Sequence, residues 1–595
     1  MTRHSSTAIG IIAAVVIIAV SSVWNDAPIV DEVPHIGAGY TYVKKGSLLF
    51  NPEHPPLPKD LAGLPLLTLD IDQTIYNRTY EGNWGSDVNG QWNFGRTLIF
   101  HSGVDATAMV HRAKLPMLFF FITSAWLVFH WARKRYSPSA GLLALFLFAF
   151  SPTVIAHSRL VTTDIPALWG VLVATYFFVR WLKDPGDGWR SRNFWLAALA
   201  FGFAQLAKFS LFLLWPYLLL VAVIWGFING HVFKTAWRGL LTMIVGFIVV
   251  IGPVYQLHLI NYEGFQQKSD AVIILKDSPY RQASDLVIWA SDKPVLRPYA
   301  AYAMGLLMVF QRASGGNTTY FLGDVYTSAD KLYFPIVYAL KEPIPFLILL
   351  LLAIAAAFAH KNSKRNRLRG WLADHFDETV MLIWIALYWG TSITANLNIG
   401  VRHMLPVYGF TAILIAGQFD RIKTVFSATR HKFFVYRVSM IVLLGWLAIE
   451  TLSIFPYYLT YFNQFALIRP SWTASQDGYV PGGHNYVVDS NLDWGQDLKR
   501  LADWAEKNNV QRINLDYFGW ADQTYYLKDR FFWMTRGRYT TKEEFLIDNP
   551  QGGYVAISAT YYQESLARDR KYGWLEDMKP TVIIGNSIFV WHITP

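Results

Sequence analysis

Asp31-Glu32 and, shortly after, Asn51-Pro52-Glu53-His54-Pro55-Pro56-Leu57-Pro58-Lys59 stand just beyond the first apolar run of the chain. A carboxylate pair followed by Glu, His and Lys among prolines puts ionisable groups at the edge of a very apolar protein. The prolines forbid a continuing helix and hold the chain extended. The apolar residues 60–69 that follow are expected to lie in the membrane interface as a short helix, carrying Glu53 and His54 over the membrane edge. Groups placed there can reach the head group of a lipid.

Outward from this stretch, composition sets the class. Of 595 residues, 53% are hydrophobic, and uncharged runs of roughly 18 or more residues, enough to cross about 30 Å of hydrocarbon, recur along the chain. The protein is therefore read as polytopic and α-helical. Cysteine is absent, which excludes disulfides, thiol chemistry and cysteine-based metal sites. The net charge of +10 does not point to nucleic acid, because the basic clusters fall between apolar runs. They lie at Arg133 to Arg135, Lys183 to Arg192, Lys234 to Arg238, Lys361 to Arg369 and Arg421 to Arg437. Placing all of them in the cytoplasm satisfies the positive-inside rule. The spans then read as 8–24, 112–132, 139–157, 163–182, 193–208, 210–229, 239–257, 343–360, 379–396, 404–419 and 438–456, about eleven in all. The first is kept as an anchor, since no small-residue cleavage site follows it. This topology puts the N-terminus inside the plasma (inner) membrane. Residues 1–456 form the membrane domain, with large external loops at 25–111 and 258–342, and everything beyond is outside.

The tail, 457–595, has the composition of a small soluble α/β domain. Strands are expected at Tyr486 to Val488, Arg512 to Tyr517, Gly553 to Ala559 and Thr581 to Ile593, with an amphipathic helix from Asp497 to Lys507.

Several polar groups are candidates for chemistry. Asp31 and Glu32 follow the first span closely enough to lie at the membrane surface. A carboxylate that takes a proton from an attacking hydroxyl contributes about 10²–10⁴-fold, and one such base suffices for direct displacement. Asp164 lies in His157-Ser-Arg-Leu-Val-Thr-Thr-Asp-Ile-Pro166, where His157, Arg159 and the acid share a very short external turn. On the same outer side fall the cationic candidates Arg112, Lys208, Arg281, Arg402 and His403, suited to stabilising a departing phosphate. Lys208 ends a hairpin of two short apolar runs, where a lysine is costly unless it snorkels or binds something. Asp70-Ile-Asp72 resembles the Asp-x-Asp of nucleotide-sugar enzymes, but it is expected outside, where nucleotide sugars are not supplied. No glycine-rich phosphate loop follows a strand.

Taken together, these motifs resemble the polyprenyl-phosphate-dependent glycosyltransferases of the GT-C fold. Protein O-mannosyltransferases and the aminoarabinose transferase of lipid A carry a similar acidic residue and a similar Glu/His/Lys-Pro-Pro-Leu element. The likeness extends to Thr162-Thr163-Asp164, Gly316 to Asp324, Asn398 to Pro406 and Asp489 to Asp497. It implies a GT-C membrane enzyme that moves a sugar from a polyprenyl-phosphate donor to a hydroxyl of a protein, lipid or glycan at the outer face, with inversion. Asp31, Glu32 and Asp164 would be the catalytic acids, with Asp31 the general base. His54, Lys59, Arg112, Lys208, Arg402 and His403 would bind the donor phosphate. Glu53 matches a residue that helps hold a divalent metal in the lipid A transferase, although His54 here replaces the lysine that follows it there. The competing reading is a multi-pass transporter or lipid flippase. That class keeps ionisable groups near mid-membrane on broken helices in paired halves, and no such two-fold pattern is visible.

Overall fold

The computed structural model describes residues 3–86, 90–359, 368–473 and 478–595. Most of the basic cluster from Lys361 to Arg369 lies outside the described residues. Every expected span falls on a helix, but their lengths differ from the expectation. Arg3–Ser22, Ala106–Arg135, Asp164–Lys183, Phe209–Asn229, Val232–Leu257 and Arg430–Ser453 are long and apolar enough to cross a bilayer. Two more spans are bent. Pro138–Ala149 turns by 67° into Pro152–Ser158, and Tyr333–Lys341 turns by 117° into Ile344–Ala359. At the first break Ser151 accepts from the Val154 N–H and restarts the helix, and Pro152 suits its first turn because its missing N–H would be unbonded there anyway. The helices Arg192–Gln205, Phe376–Thr394 and Tyr408–Phe426 do not qualify. The first is short, and the other two carry Asp377 and Glu378, and Asp420, Arg421 and Lys423. By length and hydropathy the described residues thus give six spans, or eight with the bent pairs, where about eleven were expected from apolar runs alone. The protein is a multi-pass membrane protein.

The first loop is compact. Helix Glu32–Lys45 is followed by Leu57–Gly63 and the 3-10 turn Leu64–Thr68, the short element expected from the proline-rich stretch. Glycines let these pieces touch backbone to backbone. A Cβ on Gly39 would lie 2.2 Å from the Lys59 carbonyl, and one on Gly95 would lie 2.1 Å from that of Val33. Helix Glu32–Lys45 is clamped on both sides, and that fixes the residue at its start, Asp31.

Hairpin β1 (Thr319–Phe321) and β2 (Asp324–Tyr326) turns through Leu322 and Gly323, both at positive φ, as a tight two-residue hairpin requires. In the tail, β3 (Ile513–Asp516), β4 (Phe531–Trp533), β5 (Gly553–Ser558), β6 (Val582–Ile584) and β7 (Ile588–Ile593) form one sheet in the order β4-β3-β5-β7-β6. β3 runs parallel to β4 and β5, and β7 runs antiparallel to β5 and β6. Helix Leu498–Lys507 buries Leu498, Leu501 and Ala505 on one face. Tyr486 to Val488 is not a strand: Val487 makes a single antiparallel bridge to Phe321. The expected strand from Thr581 to Ile593 is a hairpin of two.

Candidate active site

Asp31 is the N-cap of helix Glu32–Lys45, yet its side chain makes no capping bond. The carboxylate instead accepts from Arg402 Nη1 at 2.7 Å, and 25% of its side chain is exposed. Arg402 Nη1 also stands 3.5 Å from Asp164 Oδ2, while Lys208 Nζ donates to Asp164 Oδ1 at 2.6 Å. Asp164 opens helix Asp164–Lys183, and its side chain is only 2% exposed. Four residues far apart in the chain thus form one relay, Asp31–Arg402–Asp164–Lys208.

Helix termini hold each member. Lys208 sits where helix Arg192–Gln205 gives way to the 3-10 turn Phe209–Leu213. Arg402 lies in the 3-10 turn Val401–Val407, just after Gly400 at φ +93. His403 follows it, half-buried between Phe334 and Tyr388. Burial, with Lys208 and Arg402 nearby, pushes the His403 pKa down to about 3, so its ring is neutral. Arg402 lies flat on Trp494, its guanidinium carbon 3.9 Å from the ring centroid. Burial alone would ease its proton off, but Asp31 and Asp164 hold its pKa above the ordinary arginine value.

The Asp489 to Asp497 stretch, which sequence reading gave no mechanistic task, is the bracket behind Arg402. Asn491 Oδ1 accepts from the Val401 N–H at 2.8 Å, and Ser490 Oγ donates to the Ile399 carbonyl at 2.9 Å. The Trp494 and Gln496 carbonyls accept from the Val30 and Ala27 N–H groups. One loop of the tail therefore grips both the Arg402 turn and the approach to Asp31. Asp497 occupies the N-cap position of helix Leu498–Lys507 without a capping bond and turns to Arg500, Gln496 and Ser587 instead.

Glu32 faces the other way from Asp31. Its side chain is 0% exposed, accepts from the Ile29 and Val161 N–H groups, and pairs with Lys114 at 3.1 Å. Arg159 is likewise committed: it bridges to Asp26, which also binds Arg500, both at 2.6 Å. Burial would raise the Asp26 pKa, but Arg159, Arg500 and Lys114 outweigh it and hold it low.

Lys59 is buried away from the relay. Its ammonium donates to the Asn51 and His54 carbonyls, Asn51 Oδ1 and the Tyr42 hydroxyl, which folds the Pro-rich stretch onto helix Glu32–Lys45. His54 packs edge-on to His35, with ring centroids 5.1 Å apart. Burial, then His35, Lys59, Lys208 and Arg312, depress its pKa. Arg112 bonds Thr68 Oγ1 at 3.2 Å and Arg281 pairs with Asp285, both outside the relay. Glu53 accepts from Gln91 at 2.6 Å. Among the described residues no three His, Asp or Glu side chains gather closely enough to share a metal ion.

Residues 107–255 match the family model for dolichyl-phosphate-mannose-protein mannosyltransferases. The yeast (S. cerevisiae) protein O-mannosyltransferase Pmt1-Pmt2, solved with its sugar donor, superposes with a TM-score of 0.52 at 12% identity, over 77% of this chain and 90% of that one. The chain has the GT-C membrane fold. Two further solved structures resemble it less closely. The oligosaccharyltransferase AglB from Archaeoglobus fulgidus, with an inhibitory peptide and a dolichol-phosphate, has a TM-score of 0.49 at 11% identity, over 96% of this chain and 72% of that one. ArnT from Cupriavidus metallidurans, in its apo state, has a TM-score of 0.33 at 11% identity, covering 100% of this chain and 99% of that one. No curated protein matches this chain in sequence.

Sequence reading missed three contributors to the site: Asp26, Trp494 and Arg312. Arg312 is exposed near the end of helix Arg297–Gly315 and acts electrostatically on both His54 and Asp489. The last two carried a usable signal, since Trp494 lies within Asp489 to Asp497 and Arg312 precedes Gly316 to Asp324, both family-like stretches.

Proposed function

We propose that the protein transfers a sugar from a polyprenyl-phosphate-linked donor to a hydroxyl of a protein, lipid or glycan at the outer face of the plasma (inner) membrane, with inversion. The observation that carries this reading is the relay itself. Asp31 keeps a quarter of its side chain open, while the same arginine that holds it reaches a buried acid already neutralised by Lys208. In the reaction the acceptor oxygen attacks the anomeric carbon as the bond from that carbon to the phosphate oxygen breaks. The electron pair leaves with the phosphate, and the acceptor proton passes to Asp31. Arg402 and Lys208 face the growing negative charge, as preorganised cations do best when held in place beforehand. Lys208 and Arg312 help keep the His54 ring neutral, and Lys208 and Arg402 do the same for His403. Glu32 is a positioning residue, and so is Lys59, since both are fully engaged away from the relay. The N-terminus lies in the cytoplasm, and the relay and the tail sheet lie outside. The matched family description names a dolichyl-phosphate sugar, and Pmt1-Pmt2 was solved with a sugar donor, which supports the donor class.

The test is in vitro transfer from synthetic polyprenyl-phosphate sugars, with the anomeric configuration of the product read by NMR. Inversion is expected. A product that keeps the donor's configuration would demand a covalent or front-side route, which one base in the first loop does not supply.

A further inference from the structure

Away from the relay, a cleft opens between hairpin β1–β2 and the tail sheet, with about 100 Å³ of empty space. A single water needs about 10–15 Å³ by this measure, so the cleft has room for one ring-sized ligand rather than a chain. Its wall is aromatic: Tyr320, Trp472, Tyr479, Tyr562, Phe589 and Trp591.

Two features distinguish it from ordinary packing. Trp472 is 40% exposed but not loose. Its indole lies so close to Gly323 that a Cβ there would stand 2.5 Å from Cδ1, and its Nε1 donates to the Asn485 carbonyl at 3.0 Å. An indole fixed on one side and open on the other is a platform for a flat ligand face. Gln563 is the second feature. It lines the cleft and is only 6% exposed, yet its amide has no hydrogen-bond partner among the described residues. A primary amide offers two donors and an acceptor, and those of Gln563 stay available to the cleft. On the same wall the Tyr479 hydroxyl is buried without a partner among the described residues, which is costly. The charged residues at the cleft, Arg570 and Glu576, neutralise each other, so nothing favours a phosphate or a carboxylate. His484 is neutral as well, its pKa pushed down to about 4 by burial.

A ligand with a flat C–H face and several hydroxyls, carrying no charge, fits all of this. We infer that this cleft binds a neutral pyranose unit, separate from the relay. The hairpin links the two places: Tyr320 and Gly323 line the cleft, while Asn317 and Thr319 donate to the Asn398 carbonyl, just ahead of the Arg402 turn. The inference rests on the proposed transferase reading only for the origin of the sugar, a unit of the glycan that the enzyme extends or decorates.

The test is ligand-observed saturation-transfer NMR on the full chain in detergent, using methyl glycosides of mannose, glucose and galactose. At least one should receive saturation from the wild-type protein, and Trp472→Ala and Gln563→Leu should each weaken it at least tenfold. Should Trp472→Ala lose its monodispersity, Gln563→Leu decides alone. Absence of binding by all three glycosides, or a signal that survives the substitutions, overturns the inference. Undecaprenyl phosphate binding is measured on the same samples. Its loss with sugar binding intact would count against the donor reading and leave the cleft standing.

Discussion

Asp31→Asn and Glu32→Gln, adjacent in sequence, are expected to fail in opposite ways. Asparagine keeps the size of Asp31 and an oxygen for Arg402, but it cannot accept a proton at the working pH. A general base contributes about 10²–10⁴-fold, and each factor of ten is about 1.4 kcal/mol of barrier. Turnover should fall by that factor, a barrier increase of about 3–5 kcal/mol. Little stability should go with it, because Asp31 is partly exposed and Arg402 keeps Asp164 at 3.5 Å. Glu32→Gln reverses the pattern. Both oxygens of Glu32 accept from backbone N–H groups, so the new amide nitrogen must face one of those donors. Lys114, 3% exposed, also loses its counter-charge. Removing one partner of a buried pair typically costs about 3–5 kcal/mol. The assay pairs thermal melting of the detergent-purified protein with initial rates per monodisperse molecule. Asp31→Asn should melt like the wild type and barely turn over, whereas Glu32→Gln should melt early and keep more activity per folded molecule. If Glu32→Gln melts normally and loses turnover as deeply as Asp31→Asn, the positioning role for Glu32 is wrong. If Asp164→Asn is dead while Asp31→Asn retains most of its rate, the base is Asp164.

Replacing Arg402 or Lys208 by Met should weaken polyprenyl-phosphate binding about tenfold or more, since a hydrogen bond to a charged group is worth about 1.5–3 kcal/mol; unchanged affinity in both variants removes them from the donor site. A reporter active only outside the cytoplasm should work when fused after Pro595 and stay silent after Arg369, and the opposite pattern would place the relay on the wrong side. Asp493 has its pKa raised to about 8 by burial, with one oxygen unbonded. The folded state therefore holds a proton that the unfolded chain releases above about 3.8, so this group's contribution to stability declines as pH rises through about 8. Asp493→Asn should flatten the fall in melting temperature between pH 5 and 8, and a variant as pH-sensitive as the wild type would contradict this.

Hydropathy placed its expected spans on helices of the described residues, because the cost of burying peptide groups in hydrocarbon leaves few alternatives. The helix count by length and hydropathy differs: the bends at Ser151-Pro152 and before Ile344, and the charges in helices Phe376–Thr394 and Tyr408–Phe426, depend on local backbone and neighbours rather than on mean apolarity. β4 escaped notice because it is three residues at a sheet edge, with Trp533 mostly exposed, so burial leaves no alternation to read. Tyr486 to Val488 misled for the converse reason, strand-forming residues with only one bridge to make. In the site, Asp31, Asp164, Lys208 and Arg402 were legible because charge beside apolar runs is costly and so conspicuous. What those charges bind was not. The split between Asp31 and Glu32, and the commitment of Arg159 to the Asp26 that also binds Arg500, depend on partners remote in the chain. The resemblance supplied expected roles, and the geometry supplied the partners.

Arg402 rests on Trp494, about ninety residues further along the chain. A ribosome adding roughly 5–20 residues per second needs on the order of 5–20 seconds to cover that distance. During this interval the nascent chain already carries nearly all its membrane helices and every ionisable member of the relay, but not the bracket that orients the arginine. The arginine is therefore set only once the tail loop has been made. A product stalled short of Trp494 would carry Arg402 without the ring it rests on.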